Sequence, residues 1–321
     1  MNMNKITIPK SRILYLIITL FMVACTPYQN ATKISSFDDL EYPFQIDKIQ
    51  VSEKIEIAYI DEGKGQETIL FIHGLGSYLP AWKRNIEELK KHYRCIAIDL
   101  PGYGKSSKIP HSGQMTFYAS VVNDFVKAMK LEKVILAGHS MGGQISMITA
   151  MQYPEITKKL ILVDPAGFER FHEGQKEWFR EVMTVSLVKA TNADGIQTNL
   201  AHNFYDLPEE AKFMISDRLK MRTALDFDYY CHAVVQSVHG MVNQPVIDKL
   251  DKIKQPTLIF FGENDNLIPN RYLNPGRTVK IAEYGASKIS NSKLIMVPKC
   301  GHFMMFEKPD IFNSGVIDFL N

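Results

Sequence analysis

Three residue types that together perform acyl transfer, a hydroxyl, an imidazole and a carboxylate, each stand just past a short apolar run in this chain. Ser140 lies in Gly138-His139-Ser140-Met141-Gly142, directly after residues 134–137. Glycines two positions before and after a serine let the chain turn sharply from strand to helix with the hydroxyl at the tip, a nucleophile elbow. Asp265 lies in Gly262-Glu263-Asn264-Asp265 after residues 258–261, and His302 lies in Cys300-Gly301-His302 after residues 294–297. A serine hydroxyl is a weak nucleophile at neutral pH, so it needs a base within hydrogen-bond reach and a group that orients the base. Ser140 is then the nucleophile, His302 the base and later the acid, and Asp265 the carboxylate that fixes the imidazole tautomer. A glycine-rich turn, His73-Gly74-Leu75-Gly76, follows residues 69–72. Backbone N–H groups there and just behind the serine would face a developing oxyanion, which makes Leu75 and Met141 the candidate donors.

These motifs resemble those of the α/β-hydrolase family, in the chain order Ser, Asp, His that the family uses, and the resemblance runs from about Ile49 to Leu320. Asp99-Leu100-Pro101-Gly102-Tyr103-Gly104-Lys105-Ser106 is similar to the family's turn after the fourth strand, and Gly262-Glu263-Asn264-Asp265-Asn266-Leu267-Ile268-Pro269 to its acid-bearing loop. The resemblance implies an α/β fold: a mostly parallel sheet with helices on both faces and a helical lid inserted after the sixth strand. It also implies a serine hydrolase that cleaves carboxylic esters of hydrophobic acyl groups, an esterase or small-glyceride lipase, through an acyl-enzyme. Relatives with the same triad and lid cleave carbon–carbon bonds or transfer acyl groups, and a non-catalytic, lipid-anchored binding protein of this fold is a further expectation. Serine at position 140 argues against relatives that open epoxides or remove halides, which carry aspartate there.

Other residues compete for these roles. Glu263 stands two positions before Asp265, and Asp164 follows residues 160–163, where some members of the family place the acid. Asp265 is preferred because it holds the matching position before Leu267-Ile268-Pro269. His73 and His139 flank the glycine turns and read as structural, and Asp99 as a brace for its own turn. Cys300 has no base of its own, and Cys95, inside an apolar run, reads as a buried thiol. Gly104-Lys105-Ser106 lacks the glycine that a phosphate-binding loop needs five positions earlier, because Asp99 stands there. His232 and His239 have no carboxylate or cysteine cluster to complete a metal site, so neither metal nor cofactor is expected.

Bringing the three groups together requires a particular set of elements. Residues 46–51 and 55–60 alternate apolar and polar side chains around Ser52-Glu53-Lys54, which predicts an antiparallel hairpin at a sheet edge. Residues 69–72, 96–100, 134–137, 160–163, 258–261 and 294–297 are nearly continuous apolar runs, as parallel strands buried on both faces require. Residues 80–92 and 116–130 have helical spacing, and a helix begins at Met141 behind the elbow. Such alternation predicts a parallel sheet with right-handed crossovers. Residues 167–254 contain no strand-like run and are rich in Met, Phe, Tyr and His. They read as the lid, with most of its aromatic side chains forming its own core, and Asp206-Leu207-Pro208-Glu209 predicts a helix start with a capping box.

The chain has 321 residues, 45% of them apolar, enough for one large domain over residues 45–321. Residues 1–24 read as an export signal: Lys5, Lys10 and Arg12 precede an apolar run, residues 13–23, too short to span a bilayer. Met22-Val23-Ala24-Cys25 resembles a bacterial lipobox, although Met22 replaces the usual leucine. That implies lipid attachment at Cys25, a tether over residues 25–44 and a place on the bacterial cell envelope, where each buried acyl CH₂ contributes about 0.8 kcal/mol of membrane affinity. No second hydrophobic span follows, so the catalytic domain itself is expected to be soluble. The chain carries 37 basic and 35 acidic residues, and the leader removes three basic and no acidic ones. A nearly neutral remainder argues against nucleic acid as a partner and leaves a small hydrophobic ester and the membrane. With Cys25 acylated, Cys95, Cys231 and Cys300 remain, too scattered for a disulfide framework.

Overall fold

The computed structural model describes residues 32–321; the expected export signal and Cys25 lie outside them. The alternating hairpin becomes β1 (Asp47–Ser52) and β2 (Ile55–Glu62), and the apolar runs become β3 (Thr68–Ile72), β4 (Arg94–Ile98), β5 (Val134–His139), β6 (Thr157–Val163), β7 (Thr257–Gly262) and β8 (Ser292–Val297). They form one sheet in the order β1-β2-β4-β3-β5-β6-β7-β8. β2 pairs antiparallel with both β1 and β4, and every other neighbouring pair is parallel. Patterning explains the placement: β5 and β7 are buried along their whole length, whereas the edge strand β1 has four exposed residues of six and none buried.

Helices α1 (Lys83–Leu89), α2 (Met115–Ala128) and α3 (Met141–Gln152) connect the central strands. Five more lie between β6 and β7: α4 (Glu173–Val182), α5 (Val185–Ala190), α6 (Ala193–Ala201), α7 (Phe213–Met221) and α8 (Phe227–Asn243). The chain then adds α9 (Thr278–Lys288), α10 (Met304–Glu307) and α11 (Pro309–Leu320). Because successive strand side chains point to opposite faces, β3 feeds two cores. Leu70 and Ile72 join Val122, Phe125 and Ile145 on one side. Ile69 and Phe71 join Trp82, Phe306 and Phe312 on the other.

Three local expectations are corrected. Residues 80–92 are not one helix: a 3₁₀ turn over Leu79–Trp82 precedes α1, with Pro80 in its first turn. Asp206-Leu207-Pro208-Glu209 forms no capping box; Pro208 caps a short 3₁₀ turn without a side-chain hydrogen bond, and α7 starts only at Phe213. The tether expected over residues 25–44 ends early, because Ser36 caps a 3₁₀ turn that buries Phe37 completely and Leu40 almost so. A few apolar residues within a polar stretch suffice to dock it.

The helix behind the elbow packs backbone to backbone. A methyl group at Gly142 would stand 2.2 Å from the Ile72 carbonyl oxygen, and one at Gly138 would stand 2.3 Å from the Gly142 oxygen. Neither neighbour can rotate away, so overpacking must move α3 or β3, at a cost of about 1–3 kcal/mol or more. Gly142→Ala is therefore expected to lower the urea midpoint with an unchanged slope. Gly276→Ala, whose added carbon meets nothing nearer than 3.7 Å, should leave the midpoint in place; equal midpoints for the two variants would contradict the packing argument.

Candidate active site

The turn from β5 into α3 places Ser140 at φ +52°, ψ −116°, a left-handed conformation that is strained for a residue with a side chain. Neighbouring backbone fixes it there. Ser140 N donates to Val163 O at 2.9 Å, and Ser140 O accepts from Gly143 N at 2.9 Å, Gln144 N at 3.2 Å and Ala166 N at 3.0 Å. The hydroxyl is thus carried on a peptide locked between β6 and the first turn of α3.

Asp265 and His302 meet at the ends of β7 and β8. His302 Nδ1 donates to Asp265 Oδ2 at 2.8 Å, and both side chains are buried. The other carboxylate oxygen, Asp265 Oδ1, accepts from Leu267 N at 2.7 Å and Ile268 N at 3.1 Å. One oxygen therefore orients the imidazole and the other is held by its own loop, which is the physical reason an aspartate precedes Leu267-Ile268. Glu263 points into solvent. Asp164 is nearer: its carboxylate, Asp265 and His302 have ligating atoms within 4.8 Å of one another. Asp164 Oδ1, however, accepts from Gly262 N at 2.8 Å, and Oδ2 is buried without a partner. Burial, with the Asp265 charge beside it, pushes Asp164 well above the usual carboxylate range.

The two histidines beside the glycine turns act as ties. His73 Nδ1 donates to Gly74 O at 2.8 Å and its Nε2 accepts from Leu100 N at 3.0 Å. His139 Nε2 donates to His302 O at 2.9 Å, and its ring lies 4.8 Å from the His302 ring. Burial pushes both below the ordinary histidine range, His139 farther because His302 is adjacent. Asp99 braces its turn as expected, accepting from Leu79 N at 2.7 Å, Tyr42 Oη at 2.8 Å and Lys105 N at 2.8 Å. Burial raises the thiols of Cys300 and Cys95, the latter to about 12, so neither is a thiolate near neutral pH.

Glycine brings the candidate oxyanion loop against the nucleophile. A methyl group at Gly74 would lie 2.8 Å from His139 Nδ1 and 3.2 Å from Ser140 Cβ. Leu75 follows immediately, and Met141 opens α3, where the first backbone N–H groups lack intrahelical partners. No hydrogen bond joins the Ser140 hydroxyl to His302 among the described residues; such contacts are commonly loose before substrate binds. Sequence reading missed Glu307. Its buried carboxylate accepts from Gly301 N at 2.8 Å, Asp206 N at 2.9 Å and Tyr205 N at 3.1 Å, fastening the His302 loop to the insertion. The available signal was a lone acid beside the apolar Phe303–Phe306 run.

A cavity of about 380 Å³ adjoins this centre. Leu75, Gly76 and Phe303 bound it on the sheet side, and Leu187, Ile196 and Met214 on the insertion side. Arg218 and Arg222 stand in its wall. Ser140 and His302 do not line it; their neighbours Leu75 and Phe303 do.

The family model for the alpha/beta hydrolase fold matches residues 67–309, and the chain belongs to that family. It is a hydrolase by that membership. It is 30% identical over 280 residues, 83% of this chain and 88% of the relative, to a 2-hydroxy-6-oxo-6-(2'-aminophenyl)hexa-2,4-dienoic acid hydrolase from Metapseudomonas resinovorans. Among solved structures it is similar to a membrane phospholipase A described as a bacterial virulence factor, with TM-score 0.70 and 26% identity over 97% of this chain and 93% of that one. It also shares its fold with an esterase from Exiguobacterium antarcticum, with TM-score 0.71 and 23% identity over 85% of this chain and 98% of that one.

The upward shift of Asp164 has a measurable consequence. An acid whose folded pKa lies above its unfolded value of about 3.9 stabilises the fold less as pH rises from that value toward the folded one. Asp164→Asn cannot ionise, so its stability relative to wild type should climb as pH rises above about 4 in thermal denaturation. A wild-type advantage that grows with pH would show instead that Asp164 is a charged, partnered carboxylate.

Proposed function

We propose that this protein is a serine hydrolase that cleaves carboxylic esters of hydrophobic acyl groups through an acyl-enzyme. The observation that carries the reading is the buried Asp265–His302 hydrogen bond of 2.8 Å, tied by His139 to a serine on a strained turn. Ser140 Oγ attacks the ester carbonyl while His302 Nε2 takes its proton. Asp265 keeps the other nitrogen protonated and faces the imidazolium that forms. The tetrahedral oxyanion is directed at the N–H groups of Leu75 and Met141, each worth about 2.7–4 kcal/mol in a dry site. The imidazolium then protonates the departing alkoxide. Water repeats the sequence on the acyl-enzyme and restores Ser140. In this reading the helices between β6 and β7 act as the lid, and their apolar side chains in the cavity wall receive the acyl chain.

A second reading, hydrolysis of a carbon–carbon bond, is favoured by the relative from Metapseudomonas resinovorans. The substrate in its name is an oxo-dienoic acid with no ester, so water is consumed there only by breaking a bond between carbons. Arg218 and Arg222 in the cavity wall suit a substrate with a carboxylate. An acyltransferase would use the same acyl-enzyme with an alcohol in place of water.

The N-terminal part of the reading is acylation of Cys25 and anchorage on the cell envelope. Its support is the Met22-Val23-Ala24-Cys25 stretch behind an apolar run. The mature protein is expected to partition with membranes, and Cys25→Ser to abolish that partitioning; an unmodified Cys25 in the mass of the N-terminal peptide would refute it.

Activity is tested on protein starting at Thr26. A fluorophosphonate probe should label wild type and not Ser140→Ala, and p-nitrophenyl esters should show a chain-length optimum. Asp265→Asn should lower kcat by about 10⁴-fold, as loss of the correct tautomer does elsewhere. Turnover of an oxo-dienoate with none of the esters would replace the first reading by the second, and no labelling at all would leave a binding protein.

A further inference from the structure

Gly74 and Gly76 make the candidate oxyanion loop conformationally free, yet a useful oxyanion donor must be held before the reaction starts. The loop's two ends are fixed from the sheet: His73 binds Gly74 O, and Asp99 binds Leu79 N. Its middle is held differently. Apart from the backbone turns from Ser77 N to Gly74 O and from Ala81 N to Tyr78 O, the hydrogen bonds between residues 76–78 and side chains elsewhere are, among the described residues, all made by α7 and α8. Arg218 Nη2 donates to Gly76 O, and Tyr230 Oη donates to the same oxygen at 3.3 Å. Tyr78 Oη donates to Asp217 Oδ2 at 2.7 Å, with both residues only 4% exposed. Asp217 and Arg218 are consecutive on α7, so one turn of one helix grips the loop at two points. The guanidinium also lies 5.0 Å over the Tyr230 ring, which steadies it. Gly76 itself is at φ +63°, and its carbonyl direction is what the clamp selects.

We propose that Arg218 and Asp217 are positioning residues that hold the oxyanion loop in its working conformation from the inserted helices, so that the hole is complete only while α7 is seated. The inference rests on the reading of Ser140 as nucleophile with Leu75 as a donor. Releasing the clamp lets Gly76 turn, and the Leu75 N–H loses its fixed aim. Such a loss appears in kcat, because the donor acts on the transition state and not on the bound ester. A role for Arg218 as a substrate contact from the cavity wall would appear in KM instead.

The experiment compares wild type, Arg218→Met, Arg218→Lys and Tyr78→Phe for kcat and KM on the best p-nitrophenyl ester and for the rate of fluorophosphonate labelling. Arg218→Met is expected to lower kcat about 10- to 100-fold, below the full loss of one oxyanion donor, with KM nearly unchanged and labelling slowed in parallel. Arg218→Lys, which retains a charged donor, should recover part of the loss. Tyr78→Phe removes one hydroxyl and no volume, so it keeps the test open if the arginine variant does not fold; it too should lower kcat and leave KM. Unchanged kcat and labelling in folded Arg218→Met and Tyr78→Phe would overturn the clamp, as would a loss confined to KM. A wild-type protein that is not labelled, or is labelled equally in Ser140→Ala, would defeat the nucleophile assignment instead, and the two failures are thereby told apart.

Discussion

The rest of the centre depends on one constrained peptide, that of Ser140. A side chain at positive φ costs on the order of 1–3 kcal/mol, and the hydrogen bonds from Ser140 to Val163, Gly143, Gln144 and Ala166 over-determine that geometry. The constraint reaches the neighbouring strand as well. Because Gly142 lies against Ile72 O and Gly74 lies against Ser140 Cβ, the end of β3 supports the helix behind the serine and also carries the loop in front of it. Few other residue types fit at 74, 138 or 142, since a Cβ at each meets backbone or a packed ring within 2.8 Å.

The loops that bring acid and base are joined to the elbow by buried polar groups. His139 fastens Ser140's own strand to His302 O, Asp164 receives Gly262 N at the start of the acid loop, and Glu307 receives Gly301 N just before the base. Each group satisfies a backbone amide or carbonyl that would otherwise be buried unpaired, at about 1–3 kcal/mol each. Asp164 therefore has a structural role at the position where an alternative catalytic acid could stand. Its location beyond β6 alone does not distinguish the two roles. What separates it from Asp265 is which carboxylate receives the imidazole.

Sequence and structure agree most where the signal is local. The inner strands are legible as short apolar runs and the edge hairpin as an alternating pair, and the meeting of Asp265 with His302 is legible because each residue follows such a run. The preference for Asp265 over Glu263 and Asp164 came from the residues after it, and the hydrogen bonds to Leu267 N and Ile268 N give that preference its cause. The contacts that escaped are long-range. Tyr78 and Asp217 are 139 positions apart, and Gly76 and Arg218 are 142 apart, so no window of the chain contains both partners. Glu307 was overlooked for the same reason, and it also explains the misread helix start. Tyr205 N and Asp206 N are satisfied by Glu307, so that stretch has less need of a capping side chain and α7 begins later.

The clamp on Gly76 combines two donors of different character, and their surroundings decide what each contributes. Tyr230 is buried among rings: its centroid lies 5.7 Å from Phe37, 5.9 Å from Tyr103 and 5.9 Å from Phe227. Such pairs are worth about 0.5–1.5 kcal/mol each beyond burial, so the phenol is fixed, but its bond to Gly76 O is long and uncharged. Arg218 is flexible by itself, yet its bond is charge-assisted, worth about 1.5–3 kcal/mol against about 0.5–1.5 for a neutral one. Tyr230 therefore sets where the carbonyl sits, and Arg218 supplies most of the force that keeps it there. The segment carrying Phe37 belongs to this arrangement. Phe37 N donates to Asp226 Oδ2 at 3.1 Å, and Leu225 N donates to Ser35 O at 3.0 Å. Residues between the expected lipid anchor and the sheet thus buttress the start of α8, the helix that carries Tyr230, and through it the loop that faces the serine.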